Sequence, residues 1–222
     1  MKKILAILLI ISLSLTVLVI SIELNSYNKS YYHKSYIKNN IPKETGKTMD
    51  ELLEITDSII EYLKYKDENE LLEPYFNNKE ILHMKDVQSL FDLARIIKIF
   101  GIIISLFIII YFYKRQEYVF LGKTLSLGLF INHIVFILLF IVASVNFNKY
   151  FTYFHLIFFT NDLWILDPNT DLMIQMLPEN FFMGIAARTV LSFIGILAII
   201  QVIAYIYIRK EKTIYEKNTR KN

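Results

Sequence analysis

Two of the four histidines stand where the chain could bring them to one site. His83 precedes the second of four long apolar segments by about a dozen residues, and His155 follows the third by about ten. An imidazole titrates near neutral pH, so it can take up a proton and return it within one reaction. The two residues therefore predict acid–base chemistry if the fold pairs their rings. Ordinary packing and hydrogen bonding is the alternative.

The other two histidines are weaker candidates. His33 lies in a polar stretch of the chain, and we expect no functional role for it. His133 lies within the third apolar segment, next to Asn132. A histidine inside a membrane span is a functional candidate, but it often only bonds to a neighbouring helix. We expect an interhelical hydrogen bond.

Carboxylates near the paired histidines allow a different chemistry. His83 and His155 could ligate zinc together with Asp86 or Asp162. No H-x-x-x-H or H-E-x-x-H spacing supports this, so we expect no metal. The chain has no cysteine, which excludes a thiolate nucleophile and cysteine metal sites. It also lacks a G-x-S-x-G elbow, a Rossmann motif, a P-loop and a basic patch. We therefore expect no cofactor and no nucleic-acid partner.

Four apolar segments must position these residues. Each is long enough to cross a bilayer, which takes about 20 residues. They cover roughly residues 4–22, 96–113, 124–145 and 189–208. The sequence therefore predicts a membrane α-helical protein with four transmembrane helices. The length of the first segment, and the lack of a clear cleavage site after it, favour a retained anchor over a signal peptide.

Lysine and arginine predict the orientation of the chain. Short loops rich in these residues stay in the cytoplasm. The basic groups lie at the N-terminus, in the inner loop 114–123 and in the tail 209–222. We therefore expect a multi-pass protein of the plasma membrane with both termini cytoplasmic. The segments 23–95 and 146–188 would then face outside, and the site would lie at the outer leaflet.

The outer domain, residues 23–95, is predicted to be α-helical and irregular, possibly α+β. Its first part, 26–47, is polar and contains Pro42 and Gly46, which indicates loop or short strands. Thr48 and Glu51 then fit a capping box at the start of an amphipathic helix, which we expect to end at 67–69.

The rest of the outer domain leads into the second span. Asp86 is a favourable N-cap residue, and the apolar stripe that follows it runs into the span. We therefore expect a helix to begin there. His83 would lie just before its N-terminus, where backbone N–H groups are free to meet an oxyanion or a phosphate.

The segment 146–188 is predicted to lie at the membrane interface. It is too apolar for a solvated loop, and the turn signal at 167–171 makes it too interrupted to span. Aromatic residues are favoured at the headgroup level. Those crowded here are Phe147, Tyr150, Phe151, Tyr153, Phe154, Phe158, Phe159 and Trp164.

Two stretches resemble the lipoprotein intramolecular transacylases (Lit) of Gram-positive bacteria. They are EILHMKDVQSLF, residues 80–91, and FHLIFFTNDLWILDPNTDLMIQMLPENFF, residues 154–182. The resemblance covers most of the chain, and the second motif is long and specific. Gln88 and Gly184 depart from the residues usual in the family.

The resemblance implies an acyltransferase. Its substrate would be a lipoprotein whose N-terminal cysteine carries a thioether-linked diacylglycerol and a free α-amine. The sn-2 acyl chain would move to that amine and leave a lyso-form lipoprotein. The two essential histidines of the family match His83 and His155 by motif. Because amine and ester belong to one molecule, the reaction has a high effective molarity and requires no enzyme nucleophile.

The resemblance also suggests roles for individual residues. One histidine would carry the proton from amine to glycerol oxygen, and the other would stabilise the oxyanion or orient the first. We assign the carrier role to His155. Asp86 or Asp162 would fix a tautomer, and Asn161 and Asp162 serve either the reaction or the turn that follows them. Arg188 would contact the oxyanion or a phospholipid phosphate, or act as an interfacial anchor.

Two other functions stay open at this point. One is a non-catalytic membrane subunit that docks a partner protein through the aromatic segment 146–188. The other is a metal hydrolase that depends on the histidines. A docking surface would not need His83 and His155 on the same face of the membrane, so the pair favours an enzyme.

Overall fold

The computed structural model describes residues 1–65 and 69–219. The described chain is helical and holds no β-strand, so the possible α+β outer domain is wrong. A 3₁₀ turn spans Asn69–Leu71 and a π-helical turn spans Thr124–Gly128. The α-helices of the described residues are α1 (Lys2–Ser26), α2 (Lys29–Lys38), α3 (Ile41–Thr45), α4 (Met49–Lys64), α5 (Asn78–Lys114), α6 (Tyr118–Lys123), α7 (Phe130–Val145), α8 (Phe147–Phe158), α9 (Leu172–Met176) and α10 (Glu179–Thr219).

Four helical stretches are long and apolar enough to cross a membrane. They are Lys2–Ser26, Asn78–Lys114, Tyr118–Val145 and Glu179–Lys210. The four expected spans are thus confirmed as helices, but three of the stretches begin well before the apolar segments read from the sequence. The longest of them, α5, has 37 residues and would measure about 55 Å, against a hydrocarbon core of about 30 Å. Most of the charged residues of α5 lie in its first half, so the apolar residues that follow Lys98 are the part best suited to cross a membrane.

The described chain forms two compact units. The first contains Met1–Ile22, Arg95–Phe140 and the chain from Thr189 onward, and the second contains Glu23–Ala94 and Ile141–Arg188. The first unit therefore holds most of the apolar helical residues. The second holds His83 and His155, together with the segments that were expected to face outside.

The helices of the first unit pack through small and polar contacts as well as apolar ones. Ser12 and Ser105 share a hydrogen bond of 2.9 Å between their hydroxyls. A Cβ on Gly101 would fall 2.9 Å from the Ser12 carbonyl oxygen and closer still to Thr16, so glycine permits the close approach of α1 and α5. Small residues and hydrogen bonds hold helices together in lipid, where burial of apolar surface provides no drive.

The polar residues of the third span differ from the expected arrangement. Asn132 Nδ2 donates to Ser14 Oγ at 2.9 Å, so it links two helices. His133 Nδ1 instead lies 3.2 Å from the Leu129 carbonyl oxygen of its own helix. Of these two neighbours, Asn132 makes the interhelical hydrogen bond, and the assignment to His133 was wrong. An i−4 carbonyl is the nearest acceptor for a side chain that leans back along its helix.

The second unit has its own apolar core, formed mainly by α2, α4, α9 and the first residues of α5 and α10. Thr48 and Glu51 form the expected capping box at the start of α4. The apolar face of α4 is buried in this core, as Leu52, Ile55 and Ile59 show. The helix ends at Lys64, and residues 67 and 68 of its expected end lie outside the described residues.

The expected loop or strands at 26–47 are instead the helices α2 and α3. Asn28 caps α2 by accepting from the Tyr31 N–H, and Tyr32 and Tyr36, one turn apart, are buried. Pro42 lies in the first turn of α3, and Gly46 at its C-cap has φ +67°. Proline near a helix start and glycine after its end are favourable positions. The two residues read as loop signals therefore mark the ends of a short helix.

The helix that carries His83 begins earlier than predicted. α5 starts at Asn78, so Asp86 lies in its interior and is not an N-cap. The cap comes from residues 77 and 80. Asn77 Oδ1 accepts from the Glu80 N–H at 3.1 Å, and Glu80 Oε2 accepts from the Asn77 N–H at 2.8 Å. His83 therefore lies within the helix, and its expected place before a helix N-terminus was wrong.

Candidate active site

The rings of His83 and His155 lie side by side in the second unit. Their centroids are 6.0 Å apart, and the ring planes differ by 34°. His83 is on α5 and His155 is on α8, and their exposed fractions are 8% and 6%. Two buried imidazoles at this separation can contact one substrate group between or beside them.

A backbone hydrogen bond determines the tautomer of neutral His155. Its Nδ1 lies 2.7 Å from the Phe151 carbonyl oxygen, one turn earlier in α8. A carbonyl oxygen only accepts hydrogen bonds, so Nδ1 must carry the proton. The Nε2 lone pair of neutral His155 is then available to take up a proton, as a general base requires.

Aromatic side chains surround this imidazole. Trp164 stacks on the His155 ring with centroids 4.8 Å apart and planes 28° apart. Phe151 meets the ring edge-on at 4.4 Å, and Phe159 lies 5.4 Å from the rings of both His155 and His83. Apolar rings lower the local dielectric and disfavour charged groups beside them.

Burial keeps both imidazoles neutral. It lowers the pKa of His83 from 6.5 to about 4; the neighbouring His155 lowers this pKa further, and Asp86 opposes the shift. Burial also lowers the pKa of His155, against the raising effect of its bond to the Phe151 carbonyl. Both residues bind protons more weakly in the folded than in the unfolded chain. Their contribution to folding stability is therefore complete above pH 6.5 and falls as the pH drops below it.

The pKa of His155 can be read directly, because Trp164 is the single tryptophan of the chain. A protonated imidazole quenches the fluorescence of an indole stacked on it. We expect the fluorescence to stay constant from pH 8 to pH 6.5 and to fall below pH 6.5, in a fluorescence titration of the purified protein. The His155→Asn variant should lose this transition. A midpoint at or above 6.5 would contradict the effect of burial.

Two buried polar atoms beside His155 lack a hydrogen-bond partner in the described part of the chain. They are Nδ1 of His83 and Nε1 of Trp164. Buried polar groups are nearly always hydrogen-bonded in native proteins, and an exception requires an explanation. Each of the two atoms is thus a candidate hydrogen-bonding group of the site.

Glu80 positions the His83 turn of α5. Its side chain is buried, with an exposed fraction of 1%. Oε1 accepts from the Met173 N–H at 2.7 Å, and Oε2 accepts from the Asn77 N–H. Burial raises the pKa of Glu80 above its usual value, although the two N–H bonds oppose this. The N-x-x-E spacing at 77–80 is a capping-box pattern that sequence reasoning overlooked.

Further bonds hold the loop 159–171 against the start of α5. Asn77 Nδ2 donates to Asp171 Oδ1 at 3.0 Å, and Asp171 Oδ2 accepts from the Asp167 N–H at 2.8 Å. The Lys79 ammonium donates to the Ile165 carbonyl. The bond from the Asp167 N–H holds the pKa of Asp171 below its usual value. This loop carries Trp164, so the same bonds position the indole.

The structure brings together some of the expected supporting residues but not all. Asn161 Nδ2 donates to Asp86 Oδ2 at 2.9 Å, which joins the loop to α5 one turn after His83. Asp162 is exposed, and its carbonyl oxygen accepts from the Ile165 N–H. Asn161 thus braces the site through Asp86, and Asp162 belongs to the turn.

The side chain of Arg188 contacts an aromatic ring. Its guanidinium lies 4.6 Å from the centre of the Tyr31 ring. The Tyr31 hydroxyl donates to the Phe181 carbonyl at 2.9 Å, and a Cβ on Gly184 would clash with that hydroxyl. Glycine at position 184 thus makes room for Tyr31.

Gln88, near His83 on α5, has a structural role. Its Nε2 donates to the Tyr62 and Tyr65 carbonyls at 2.7 and 2.8 Å. Carbonyls at a helix C-terminus lack intrahelical partners, so Gln88 caps α4 and joins it to α5.

No metal-binding group occurs among the residues that the structure describes. No three His, Cys, Asp or Glu side chains among them lie close enough together to hold one ion. His83 and His155 with Asp86 or Asp162 do not form such a cluster.

Comparison with known sequences decides the family. A sequence model described as lipoprotein intramolecular transacylase Lit matches residues 7–182. The chain belongs to the Lit family. A Lit protein is a transacylase, so the chain is an acyltransferase, and the reading as a non-catalytic docking subunit is set aside. No curated protein sequence matches the chain.

Solved structures agree with membership of the Lit family. The chain is similar to the membrane integral lipoprotein intramolecular transacylase Lit from Bacillus cereus, with 25% identity and a TM-score of 0.83 over 96% of this chain and 98% of that one. A variant of that protein with one histidine replaced by arginine gives 26% identity and a TM-score of 0.83, over 96% of this chain and 94% of that one. The likeness and the four apolar helices make this Lit protein a multi-pass membrane protein.

Proposed function

We propose that this Lit protein moves the sn-2 acyl chain of a diacylglyceryl-modified lipoprotein to the α-amine of the same N-terminal cysteine. The observation that carries the proposal is the buried pair of imidazoles, His83 and His155, with centroids 6.0 Å apart. The family and its solved member are both named lipoprotein intramolecular transacylase, and this name gives the substrate class.

The reaction needs proton movement but no enzyme nucleophile. The α-amine nitrogen attacks the ester carbonyl carbon, and a C–N bond forms while the carbonyl oxygen becomes an oxyanion. The tetrahedral species then collapses, the C–O bond to glycerol breaks, and an amide remains. One proton leaves the nitrogen and one reaches the glycerol oxygen. Amine and ester are tethered in one molecule, which gives a high effective molarity once they meet.

His155 carries the proton in this scheme. Its Nδ1 is held by the Phe151 carbonyl, so Nε2 takes the amine proton and then returns it to the leaving glycerol oxygen. Burial keeps its imidazole neutral at pH 7, ready to act as a base. The α-amine itself has a pKa near 8 in free peptides, so a base that works at neutral pH matches the task.

His83 stabilises the oxyanion or orients the attacking group. Its imidazole is neutral, since burial lowers the pKa of His83 to about 4. A neutral imidazole still has one N–H to donate. Its Nδ1 has no partner among the described residues, which leaves it available to the substrate.

The site works at the outer leaflet in this proposal, with both termini in the cytoplasm. The basic residues at the N-terminus, in 114–123 and after residue 208 support this orientation. The lipid chains of the substrate would remain among membrane phospholipids during the reaction. Arg188 is exposed, and it would contact a phospholipid phosphate rather than the oxyanion.

The test is the structure of the lipid on a reporter lipoprotein. We expect expression in a strain that makes only diacyl lipoproteins to give an N-acylated lipopeptide with one ester-linked chain, detected by tandem mass spectrometry. His83→Ala, shown by immunoblot to be in the membrane, should leave the lipopeptide diacylated. Unchanged diacyl lipopeptide with the wild-type enzyme would refute the proposal. Activity abolished by strong chelation would favour the metal hydrolase instead.

A further inference from the structure

Trp164 is placed at the candidate site in an unusual way. Its ring stacks on His155 at 4.8 Å, yet its buried indole N–H has no acceptor among the described residues. A buried tryptophan N–H usually finds a partner. A buried donor without an acceptor destabilises the folded state, so its presence at the candidate site requires an explanation.

Other polar groups of the same loop have partners. Asn161 bonds to Asp86, the Asp167 N–H bonds to Asp171, and the Ile165 carbonyl bonds to Lys79. The unmet indole is therefore not the consequence of a poorly satisfied loop. These bonds also hold the loop, and the stacking on His155 holds the ring, so the N–H direction is set before a substrate arrives.

An indole N–H is restricted in what it can do. It donates one hydrogen bond, accepts none and does not titrate at physiological pH. A partner must therefore be an acceptor brought by the substrate. In a diacylglyceryl lipoprotein, the atom that gains negative charge during the reaction is the carbonyl oxygen of the ester under attack.

We propose that Trp164 Nε1–H donates to that ester carbonyl oxygen and stabilises the oxyanion of the tetrahedral intermediate. This inference rests on the proposed function and adds a catalytic residue to it. Trp164 and His83 would then form a two-donor oxyanion site around the base His155. Donors fixed in advance in a low-dielectric site are effective, and loss of one typically lowers kcat by about 10²–10³.

The direct test removes the N–H and keeps the ring. Trp164→Phe should lower kcat for lipopeptide conversion in detergent micelles by about 100-fold and change KM by less than about 3-fold. The acid limb of the pH profile should stay in place, because the base His155 is unchanged. Tyr75→Phe, which removes the exposed hydroxyl bonded to Glu54, is the matched control and should retain wild-type kcat.

A second replacement separates the N–H from the ring volume. Trp164 is the only tryptophan, so a sulfur analogue of tryptophan, benzothienylalanine, can be incorporated at this position alone. We expect the same loss of kcat as in Trp164→Phe, with an unchanged melting temperature.

Two outcomes would overturn the inference. Wild-type kcat in the benzothienylalanine enzyme would show that the N–H does not act on the substrate. A shifted acid limb with full activity on its plateau would show that Trp164 acts through the pKa of His155. A wild-type enzyme that does not form the N-acylated lipopeptide would instead refute the proposed function, so the two failures are distinguishable.

Discussion

His155→Ala is expected to lower the rate of acyl transfer by about a thousandfold. General acid–base catalysis contributes about 10²–10⁴, and this imidazole would serve both the attacking amine and the leaving glycerol oxygen. The Phe151 carbonyl holds the Nδ1–H of His155 and so leaves the Nε2 lone pair available as the base. Removal of the ring removes this base. Single-turnover conversion of a synthetic diacyl lipopeptide, followed by mass spectrometry, measures the loss.

Two control variants separate chemistry from folding in this experiment. His155→Asn retains an N–H near the Nδ1 position, so the bond to the Phe151 carbonyl can persist while the base is absent. It should be as inactive as His155→Ala but closer to wild type in melting temperature. His33→Ala removes a histidine of α2 and should retain full activity. An active His155→Asn enzyme would show that another group carries the proton.

Glu80→Ala is expected to destabilise the protein by about 3 kcal/mol. The change leaves the Met173 and Asn77 N–H groups without their carboxylate acceptor, and hydrogen bonds to charged groups contribute about 1.5–3 kcal/mol each. For a chain of this size, the melting temperature should fall by about 6–12 °C. Thermal unfolding in detergent, followed by Trp164 fluorescence, measures the shift. The rate of acyl transfer should also fall, since Glu80 holds the turn that carries His83.

The control for Glu80 is another glutamate close to it in the sequence. Glu73 is exposed, and Glu73→Ala should change the stability by less than about 0.5 kcal/mol. Equal melting temperatures for Glu80→Ala and wild type would show that the two backbone N–H bonds do not hold α5 in place.

Local sequence patterns predicted the membrane part of the fold well. Apolar runs of about 20 residues have few stable environments other than a bilayer, and the spans in α1, α5, α7 and α10 followed from them. The capping box at Thr48 and Glu51 was also readable, because both of its residues and its helix are local. Membership of the family, suggested by the motifs around His83 and His155, is shown by the match to residues 7–182.

Local patterns were wrong where distant contacts decide the structure. The segment 29–38 is polar, yet it is helical because Tyr32 and Tyr36 bury their rings in the core of the second unit. Asp86 suggested a helix start, but the start lies at 77–80, where Glu80 also bonds to the distant Met173 N–H.

The sequence by itself determined four membrane helices and named the two histidines as a possible pair. Only the tertiary structure decided that the rings of His83 and His155 lie 6.0 Å apart and that the Phe151 carbonyl sets the tautomer. It also decided that Trp164 stacks on His155 with its N–H unpartnered among the described residues. The reason is physical. Hydrophobic runs and caps involve residues that are near in the chain. The site is instead assembled by contacts of α5 with α8 and with the loop 159–171, which lie about 75 residues further along the chain.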